Sequence, residues 1–437
     1  TRGDPLPDRV VIWTRISPRL QTYSAIQVSW TVTSSSFDHQ TRDHRNIVAD
    51  GTVAATSDAD FTVKVDVTNL TPGQTYFYSF SAGAAHSPLG RFRVPHAAAE
   101  PLTELRYAAV SCSNWGWGNF NVYDALSRYN LDFWMHLGDA IYEYDQEHYP
   151  SMAEAVRSGL DPPHELISLA DYRKRHALYR TDMGLQALSA GAAMIAIWDD
   201  HEIANNPSVD GAQNHNDGEG SWIDRKAAAV RAYHEWMPTR ESGERIYRAF
   251  HFGDLASLYM LENRLVNRSS GELDPFPLDD IDENGDGDAT NDPPSDVARA
   301  RTAAAILGIP PQDWEGDVIL EGVMKDLKIR LDAFRHDPTK TVLGVRQMNW
   351  LESFVRTSVS AGTEWQLVGQ QTILFDTHFD FDLALASLRA EILEEQHTTV
   401  PQQQMSADHN ARFSAHTPAH TQDLQEKLEL WEGVLRN

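Results

Sequence analysis

The chain has 437 residues, of which 41% are hydrophobic, and its 63 acidic and 37 basic side chains give a formal charge of −26. This length is sufficient for two or three domains with a sizeable core. The negative charge repels nucleic-acid backbones, so we expect no stable nucleic-acid partner. No apolar run approaches the roughly 20 residues that cross a bilayer, which predicts no transmembrane segment. The single cysteine, Cys112, excludes an internal disulfide.

The first hundred residues have the pattern of an all-β sandwich. Short alternating runs separated by turn residues predict six strands: Val10–Thr14, Ile26–Val32, Ile47–Ala54, Phe61–Val67, Tyr76–Phe80 and Gly90–Val94. The turn at Leu70–Thr75, followed by Tyr76, is typical of fibronectin- and immunoglobulin-like sandwiches, in which the tyrosine hydroxyl bonds to the preceding backbone. We therefore predict an N-terminal domain of residues 1–97, ending in the aperiodic stretch Pro95–Pro101.

The remainder, residues 98–437, alternates strands with helices, which predicts an α/β-layered domain with an acidic insertion at about 272–311. Its predicted strands are Tyr107–Val110, Asp132–Leu137, Ala192–Trp198, Tyr247–Phe252, Leu255–Leu261 and Glu364–Phe375. Its predicted helices are Asn121–Tyr129, Ser168–Tyr179 and Asp224–Trp236.

Potential metal ligands follow three of these strands. Cys112 follows the first, Asp139 and Tyr142 the second, and the third runs into Asp199-Asp200-His201-Glu202. The carboxyl ends of strands in an open α/β sheet meet at one edge, so these side chains can converge. A carboxylate can bridge two cations, and thiolate and phenolate both bind iron. We therefore predict a polynuclear metal site that hydrolyses its substrate.

Each of these signals has an alternative structural interpretation. Cys112 would be a buried structural residue, Gly138-Asp139 a turn, and Tyr142 a core side chain. Asp200 would cap a helix, with Glu202 in its first turn. The sequence does not decide which of Asp199 and Asp200 binds metal.

Further polar residues extend the candidate site. The amide oxygen of Asn205 is a candidate metal ligand, although Asn205 and Asn206 also suit an ordinary turn. Arg264 and Asn114 are candidate substrate contacts, but most arginines simply face solvent.

A separate acidic segment resembles the first half of an EF-hand loop, with oxygen ligands at alternating positions around a glycine. Position twelve of that pattern is Pro293 where glutamate is expected, so we predict a solitary calcium loop, the alternative being a solvated acidic turn. Its predicted ligands are Asp282, Asn284, Asp286 and Asp288.

These motifs together resemble the PhoD-type alkaline phosphatases of the calcineurin-like metallophosphoesterase superfamily. The resemblance is carried by GDPLPD with VVIWTR near the start, and by SCSNWGWGNFNVYDAL, HLGDAIYEY, IWDDHEIANN and RKAAAVRAYHEWMP, which cover most of residues 3–265. The resemblance implies an αββα-layered catalytic sandwich and a secreted, extracellular or periplasmic enzyme for phosphate scavenging. It also implies hydrolysis of phosphodiesters and phosphomonoesters by metal-bound hydroxide, with Fe(III) and Ca²⁺.

By the same resemblance Cys112, Asp139 and Tyr142 match iron ligands, Asp200 and Asp199 match the shared metal shell, and His201 matches the catalytic histidine at the phosphoryl group. The superfamily's late Gly-Asp-x-His or Gly-His-x-His loop is not found after residue 202, so we expect that the chain lacks the family's C-terminal end as well as its export leader. Two alternatives remain open: a related phosphotriesterase or phospholipase-D-like metallohydrolase, and a non-catalytic, calcium-binding secreted protein. The sequence leaves the natural substrate and the oligomeric state open.

Overall fold

The computed structural model describes residues 1–18, 23–36, 46–240, 243, 245–269 and 341–372. The predicted calcium loop at residues 282–288 lies outside this part of the chain. Among the helices within it, none is both long and apolar enough to cross a membrane.

Eight strands form the N-terminal region: β1 (Arg2–Leu6), β2 (Arg9–Arg15), β3 (Ala25–Thr33), β4 (Ile47–Thr56), β5 (Thr62–Val67), β6 (Thr75–Ala82), β7 (Ala85–His86) and β8 (Gly90–Arg93). One sheet has the order β4-β3-β6-β7, with β8 also pairing with β6. The hydroxyl of Tyr76 accepts a hydrogen bond from the backbone N–H of Thr71 at 2.9 Å, as the tyrosine-containing turn predicted. The all-β character of this region is confirmed, while its assignment to the fibronectin or immunoglobulin type stays a prediction.

The other elements alternate between strands and helices, as predicted for an α/β fold. They are β9 (Tyr107–Val110), α1 (Asn121–Leu126), β10 (Phe133–His136), α2 (Leu169–Tyr179), α3 (Met183–Gly191), β11 (Ala193–Ala196), α4 (Trp222–Trp236), β12 (Arg248–Phe252), β13 (Ala256–Met260), α5 (Gly344–Ser360) and β14 (Trp365–Gly369). Helix α2 begins where the sequence predicted, because Ser168 and Asp171 form a reciprocal capping box.

The first two strands belong to the same sheet as the strands of the candidate site. This six-stranded sheet has the order β5-β2-β1-β11-β10-β9, and β1 runs parallel to β11 with Gly3 opposite Met194. A buried ion pair between Asp4 and Arg248, with 2.6 Å between Oδ1 and Nη2, supports the junction. Backbone pairing therefore continues across the predicted boundary near residue 97, and the division into domains stays a prediction.

A second sheet of order β12-β13-β14 packs against the first. Phe133 on β10 stacks on Phe252 on β12 with their rings 4.5 Å apart. Strands β10 and β11 are buried along their whole length, which explains their continuous apolar sequences. Since β9, β10 and β11 are parallel neighbours, their carboxyl ends open onto the same edge of the sheet.

Candidate metal centre

The three loops that follow β9, β10 and β11 contain residues with left-handed backbone conformations. Cys112, Asp139 and Asn206 have φ values of 59°, 57° and 48°. Such conformations are uncommon for residues other than glycine and are concentrated at functional sites. Gly138, with φ of 109°, lies so close to Asp199 that an added Cβ would be 2.3 Å from the Asp199 Cβ. The absence of a side chain at position 138 lets the β10 and β11 loops come together.

Asp139, Asp200 and His201 form the centre of the site. Each offers a ligand atom that lies within 4.8 Å of those of the other two. Both aspartates are buried, and His201 is partly buried. Carboxylate oxygens suit di- and trivalent cations, and an imidazole beside them can either bind a cation or transfer a proton. The residues of this cluster are those that the strand-end pattern predicted.

Cys112 and Tyr142 both interact with the carboxylate of Asp139. The Tyr142 hydroxyl donates to Asp139 Oδ2 at 3.2 Å. Desolvation, followed by the negative charge of Asp139, raises the pKa of the Cys112 thiol to about 11. Cys112 is exposed, so the alternative of a buried structural cysteine is wrong. Tyr142 is buried, but its hydroxyl points toward the site, so the core interpretation describes only its ring.

The two consecutive aspartates have different environments. Asp199 Oδ1 accepts a hydrogen bond from Nε of the buried Arg264 at 2.5 Å, whereas the closest approach of Arg264 to Asp200 is 3.7 Å. Burial alone would raise the pKa of Asp200, but the positive charges of His201 and Arg264 outweigh it and lower this pKa below its usual range. Arg264, predicted as a substrate contact, is thus already bonded to Asp199.

The peptide segment around Asp200 does not form the alternative helix. Among the described residues, helix α3 ends before β11 and the next helix, α4, begins at Trp222, so the interpretation of Asp200 as a helix cap is wrong. Instead, Asp200 begins a series of turns. Its backbone carbonyl accepts hydrogen bonds from the backbone N–H groups of Ile203 and Ala204, and its Oδ2 accepts one from the backbone N–H of Asn206 at 3.1 Å.

The remaining predicted contacts lie at the margin of the cluster. The side-chain amide of Asn205 donates to Gln213 Oε1 at 2.8 Å. Asn114 is buried, and its side chain bonds to the backbone of Gly116 and Tyr149 at 2.9 and 3.3 Å. The structure therefore brings five of the predicted residues to one carboxylate-centred cluster, while Asn114 and Asn205 are engaged in local bonds.

Sequence reasoning missed the two glutamates that hold the cluster in place. Glu202, which is completely buried, accepts hydrogen bonds from the backbone N–H groups of Asp139, Ala140 and Asp199 at 3.0, 2.6 and 2.8 Å. Burial raises the pKa of Glu202 to about 7. Through these bonds one carboxylate joins the two loops that carry the aspartates. The sequence feature that could have indicated Glu202 as a site residue is its place in the Asp-Asp-His-Glu segment.

Glu143 positions the imidazole of His201. Its Oε2 lies 2.7 Å from His201 Nδ1, and its Oε1 accepts from Asn214 at 2.8 Å. The ring of Tyr142 stacks on the imidazole at 4.3 Å. Burial lowers the pKa of His201, but the negative charges of Glu143 and Asp200 outweigh it and raise this pKa well above its usual range. Because Nδ1 is bonded to Glu143, Nε2 is the nitrogen that remains for a cation or a substrate.

A second histidine forms a hydrogen bond with the loop that follows β10. His136 is buried, and its Nε2 lies 2.9 Å from the Tyr123 hydroxyl oxygen. Its Nδ1 accepts a hydrogen bond from the backbone N–H of Gly138 at 3.3 Å. Burial lowers the pKa of His136 to about 3. A neutral imidazole thus holds the peptide that precedes Asp139.

The fold agrees with comparisons to known proteins. A family model described as PhoD-like phosphatase matches residues 107–405, and one described as PhoD-like phosphatase, N-terminal domain, matches residues 1–96. The chain belongs to the PhoD-like phosphatase family. Alkaline phosphatase D from Bacillus subtilis (strain 168) is 34% identical over 323 residues, which cover 71% of this chain and 51% of that protein.

A solved structure described as "Structure of PhoD" superposes with a TM-score of 0.63 at 29% identity, covering 85% of this chain and 61% of the other. The chain thus spans about half to three-fifths of the length of these two relatives. The family assignment agrees with the resemblance that the strand-end motifs indicated, and the match over 85% of the chain agrees with the predicted α/β fold.

Proposed function

We propose that this member of the PhoD-like phosphatase family hydrolyses phosphodiesters and phosphomonoesters in a metal-dependent reaction. The observation that carries the proposal is the convergence of Asp139, Asp200 and His201 within 4.8 Å at the ends of two neighbouring parallel strands. Cleavage would join a water oxygen to phosphorus and release the alcohol, with no phosphorylated enzyme residue. Phosphate scavenging, export of the chain and the αββα form of the catalytic layers are parts of the same proposal.

The donor set fits the metals that the family resemblance implies. Cys112, Tyr142 and Asp139 would hold Fe(III). Iron binds the soft thiolate sulfur of cysteine as well as the hard phenolate and carboxylate oxygens of tyrosine and aspartate. Asp139 and Asp200 would hold Ca²⁺, which prefers carboxylate oxygens. Asp199 is the less suitable ligand of the pair, because its Oδ1 is bonded to Arg264 at 2.5 Å. Cations held there would activate a water molecule and neutralise charge on the phosphoryl oxygens.

The protein's own groups would orient and protonate the substrate. His201 is anchored by Glu143 at 2.7 Å and by stacking on Tyr142, so the direction of its Nε2 is fixed. We assign Nε2 the donation of a proton to the departing alcohol oxygen, a role that contributes about 10²–10⁴ to a rate in general acid catalysis. Arg264 would act by holding Asp199 in place.

The experiment is an assay of the purified chain with bis(4-nitrophenyl) phosphate and 4-nitrophenyl phosphate, after chelation and again with iron and calcium restored. We expect turnover only when metal is restored, and we expect Asp139→Ala to abolish it. Asp124→Ala, at an exposed aspartate on α1, serves as the matched control for the loss of an aspartate. Turnover by chelated protein, or by Asp139→Ala at the original rate, would contradict the proposal.

A further inference from the structure

A cavity of about 140 Å³ lies beside the metal centre, between the loop after β9 and residues 142–160. We infer that it binds a neutral ring in the organic group of the substrate, so that the site prefers phosphoesters of ring-bearing alcohols. This inference rests on the proposed function and names the substrate class of the same site.

The cavity and the metal centre share a wall. Tyr142 lines the cavity, while its hydroxyl donates to Asp139 at 3.2 Å and its ring stacks on His201 at 4.3 Å. Asn114, in the loop that follows β9, also lines the cavity. A phosphoester held by cations at the two aspartates would therefore have its organic group next to this opening.

The lining is mainly aromatic and apolar. Tyr144 and Tyr149 lie with their rings 5.4 Å apart, and Tyr149 lies 6.0 Å from Tyr142. Met152 and Leu160 complete this side of the cavity. Tilted and edge-on aromatic pairs of this kind can accept a further ring at favourable geometry. Pockets for organic ligands typically have such walls, with few polar groups.

Apolar surface is exposed at the mouth of the cavity. Tyr149 is 46% exposed and Met152 is 67% exposed. Trp117, 49% exposed, packs edge-on against Tyr149 with 6.0 Å between the rings. A ring entering the cavity would remove part of this surface from water, which favours binding.

The charged groups of the lining are engaged elsewhere, which disfavours a second phosphate. Arg157 pairs with Asp182 at 3.0 Å and lies 3.2 Å from the centre of the Trp115 ring. Arg175 donates to the backbone carbonyls of Tyr144 and Pro162 at 3.0 and 2.7 Å. These two are the cations among the lining residues, and the lining's carboxylate, Asp145, lies 2.7 Å from His148, so the cavity suits a neutral group.

The volume limits the size of that group. A cavity of about 150 Å³ with apolar walls holds one benzene molecule. The cavity beside Tyr142, at about 140 Å³, has room for one six-membered ring. The inferred substrate class is therefore an ester of an alcohol with a single ring next to the phosphoester.

The test compares benzyl phosphate with ethyl phosphate, whose alcohols are similarly acidic, so the ratio of the two kcat/KM values reports recognition of the ring. If the enzyme accepts only diesters, the corresponding methyl diesters replace them. We expect the protein to prefer the benzyl ester by about tenfold, the upper range for aromatic contacts. We expect Tyr149→Ser and Met152→Glu each to lower the ratio by about fivefold. Met183→Glu, at a methionine that is 82% exposed on α3, should leave the ratio unchanged.

A binding measurement separates this inference from the proposed function. Calorimetry with benzylphosphonate and ethylphosphonate on the metal-loaded protein should show tighter binding of the benzyl compound, lost in Tyr149→Ser and Met152→Glu. That result would support the ring site even if no ester were hydrolysed, which would overturn only the proposed function. Equal binding of the two phosphonates, or an unchanged preference in both variants, would overturn the inference. Circular dichroism of each variant checks that it is folded.

Discussion

Nε of Arg264 donates to Oδ1 of Asp199 at 2.5 Å, and both side chains are buried. This pairing gives the two consecutive aspartates different tasks. Asp199 pairs directly with the buried Arg264, whereas Asp200, 3.7 Å from the same guanidinium, clusters with Asp139 and His201. A sequence of two adjacent aspartates carries no information on this division, because Arg264 is 65 residues away.

Replacing each of these aspartates by asparagine in turn compares their contributions to stability and to metal binding. We expect Asp199→Asn to lower the free energy of unfolding by about 3 kcal/mol, because it removes the closest carboxylate partner of the buried Arg264. We expect Asp200→Asn to retain most of the stability and to lose bound metal. Urea unfolding and elemental analysis of both variants are the measurements. Loss of metal in Asp199→Asn alone would reverse the assignment.

Glu143 should affect catalysis and leave metal binding intact. Its Oε2 holds His201 Nδ1 at 2.7 Å, so Glu143→Gln weakens the anchoring of the imidazole. We expect kcat to fall about 10–100-fold, as for carboxylates that orient a histidine at a metal site. The metal content should be unchanged, and the exposed Glu147→Gln serves as the control. Loss of metal together with activity would instead make His201 a ligand.

Glu202 should affect stability and metal affinity together. Glu202→Ala would leave the backbone N–H groups of Asp139, Ala140 and Asp199 buried without an acceptor. We expect the free energy of unfolding to fall by at least about 3 kcal/mol, at about 1–3 kcal/mol for each unsatisfied group. Glu202→Gln retains one acceptor oxygen and should show an intermediate loss. Urea unfolding and metal titration measure both effects, and a stable Glu202→Ala that binds metal normally would refute the role of this carboxylate.

His136 should make the protein sensitive to acid. Its pKa in the folded protein is about 3, below the ordinary value of 6.5. The unfolded chain therefore binds more protons between these pH values, and stability falls as the pH falls through them. From pH 6.5 to 4.5 this histidine should remove about 2 kcal/mol. Urea midpoints at the two pH values should differ less in His136→Asn, and an unchanged difference would contradict this assignment.

Local sequence patterns predicted several elements closely. Strand β9, at Tyr107–Val110, has the predicted bounds, and α2 follows the predicted Ser168. Strand β1 was not predicted, because Gly3 and Pro5 obscure its pattern and Asp4 is stabilised by Arg248, 244 residues away. Helix α3 was also missed, although Asp182 caps it by accepting from Leu185 at 3.0 Å.

The same limit applies to the site. Cys112, Asp139, Tyr142 and His201 could be predicted because parallel strands bring their ends to one edge. The functions of Glu143 and Glu202 could not, since each depends on a loop about 60 residues away that only the folded chain brings near. A glutamate beside a ligand motif does not reveal whether it binds metal, caps a helix or accepts from backbone N–H groups.

Metal content shows directly whether these strand ends form a metal site. We would measure iron and calcium by elemental analysis in the purified chain and in Asp139→Ala, with a visible spectrum of each sample. We predict bound metal, with a thiolate or phenolate charge-transfer band, in the unsubstituted chain and the loss of both in Asp139→Ala. A chain that binds no metal on reconstitution, or an Asp139→Ala variant with the same metal content, would contradict it.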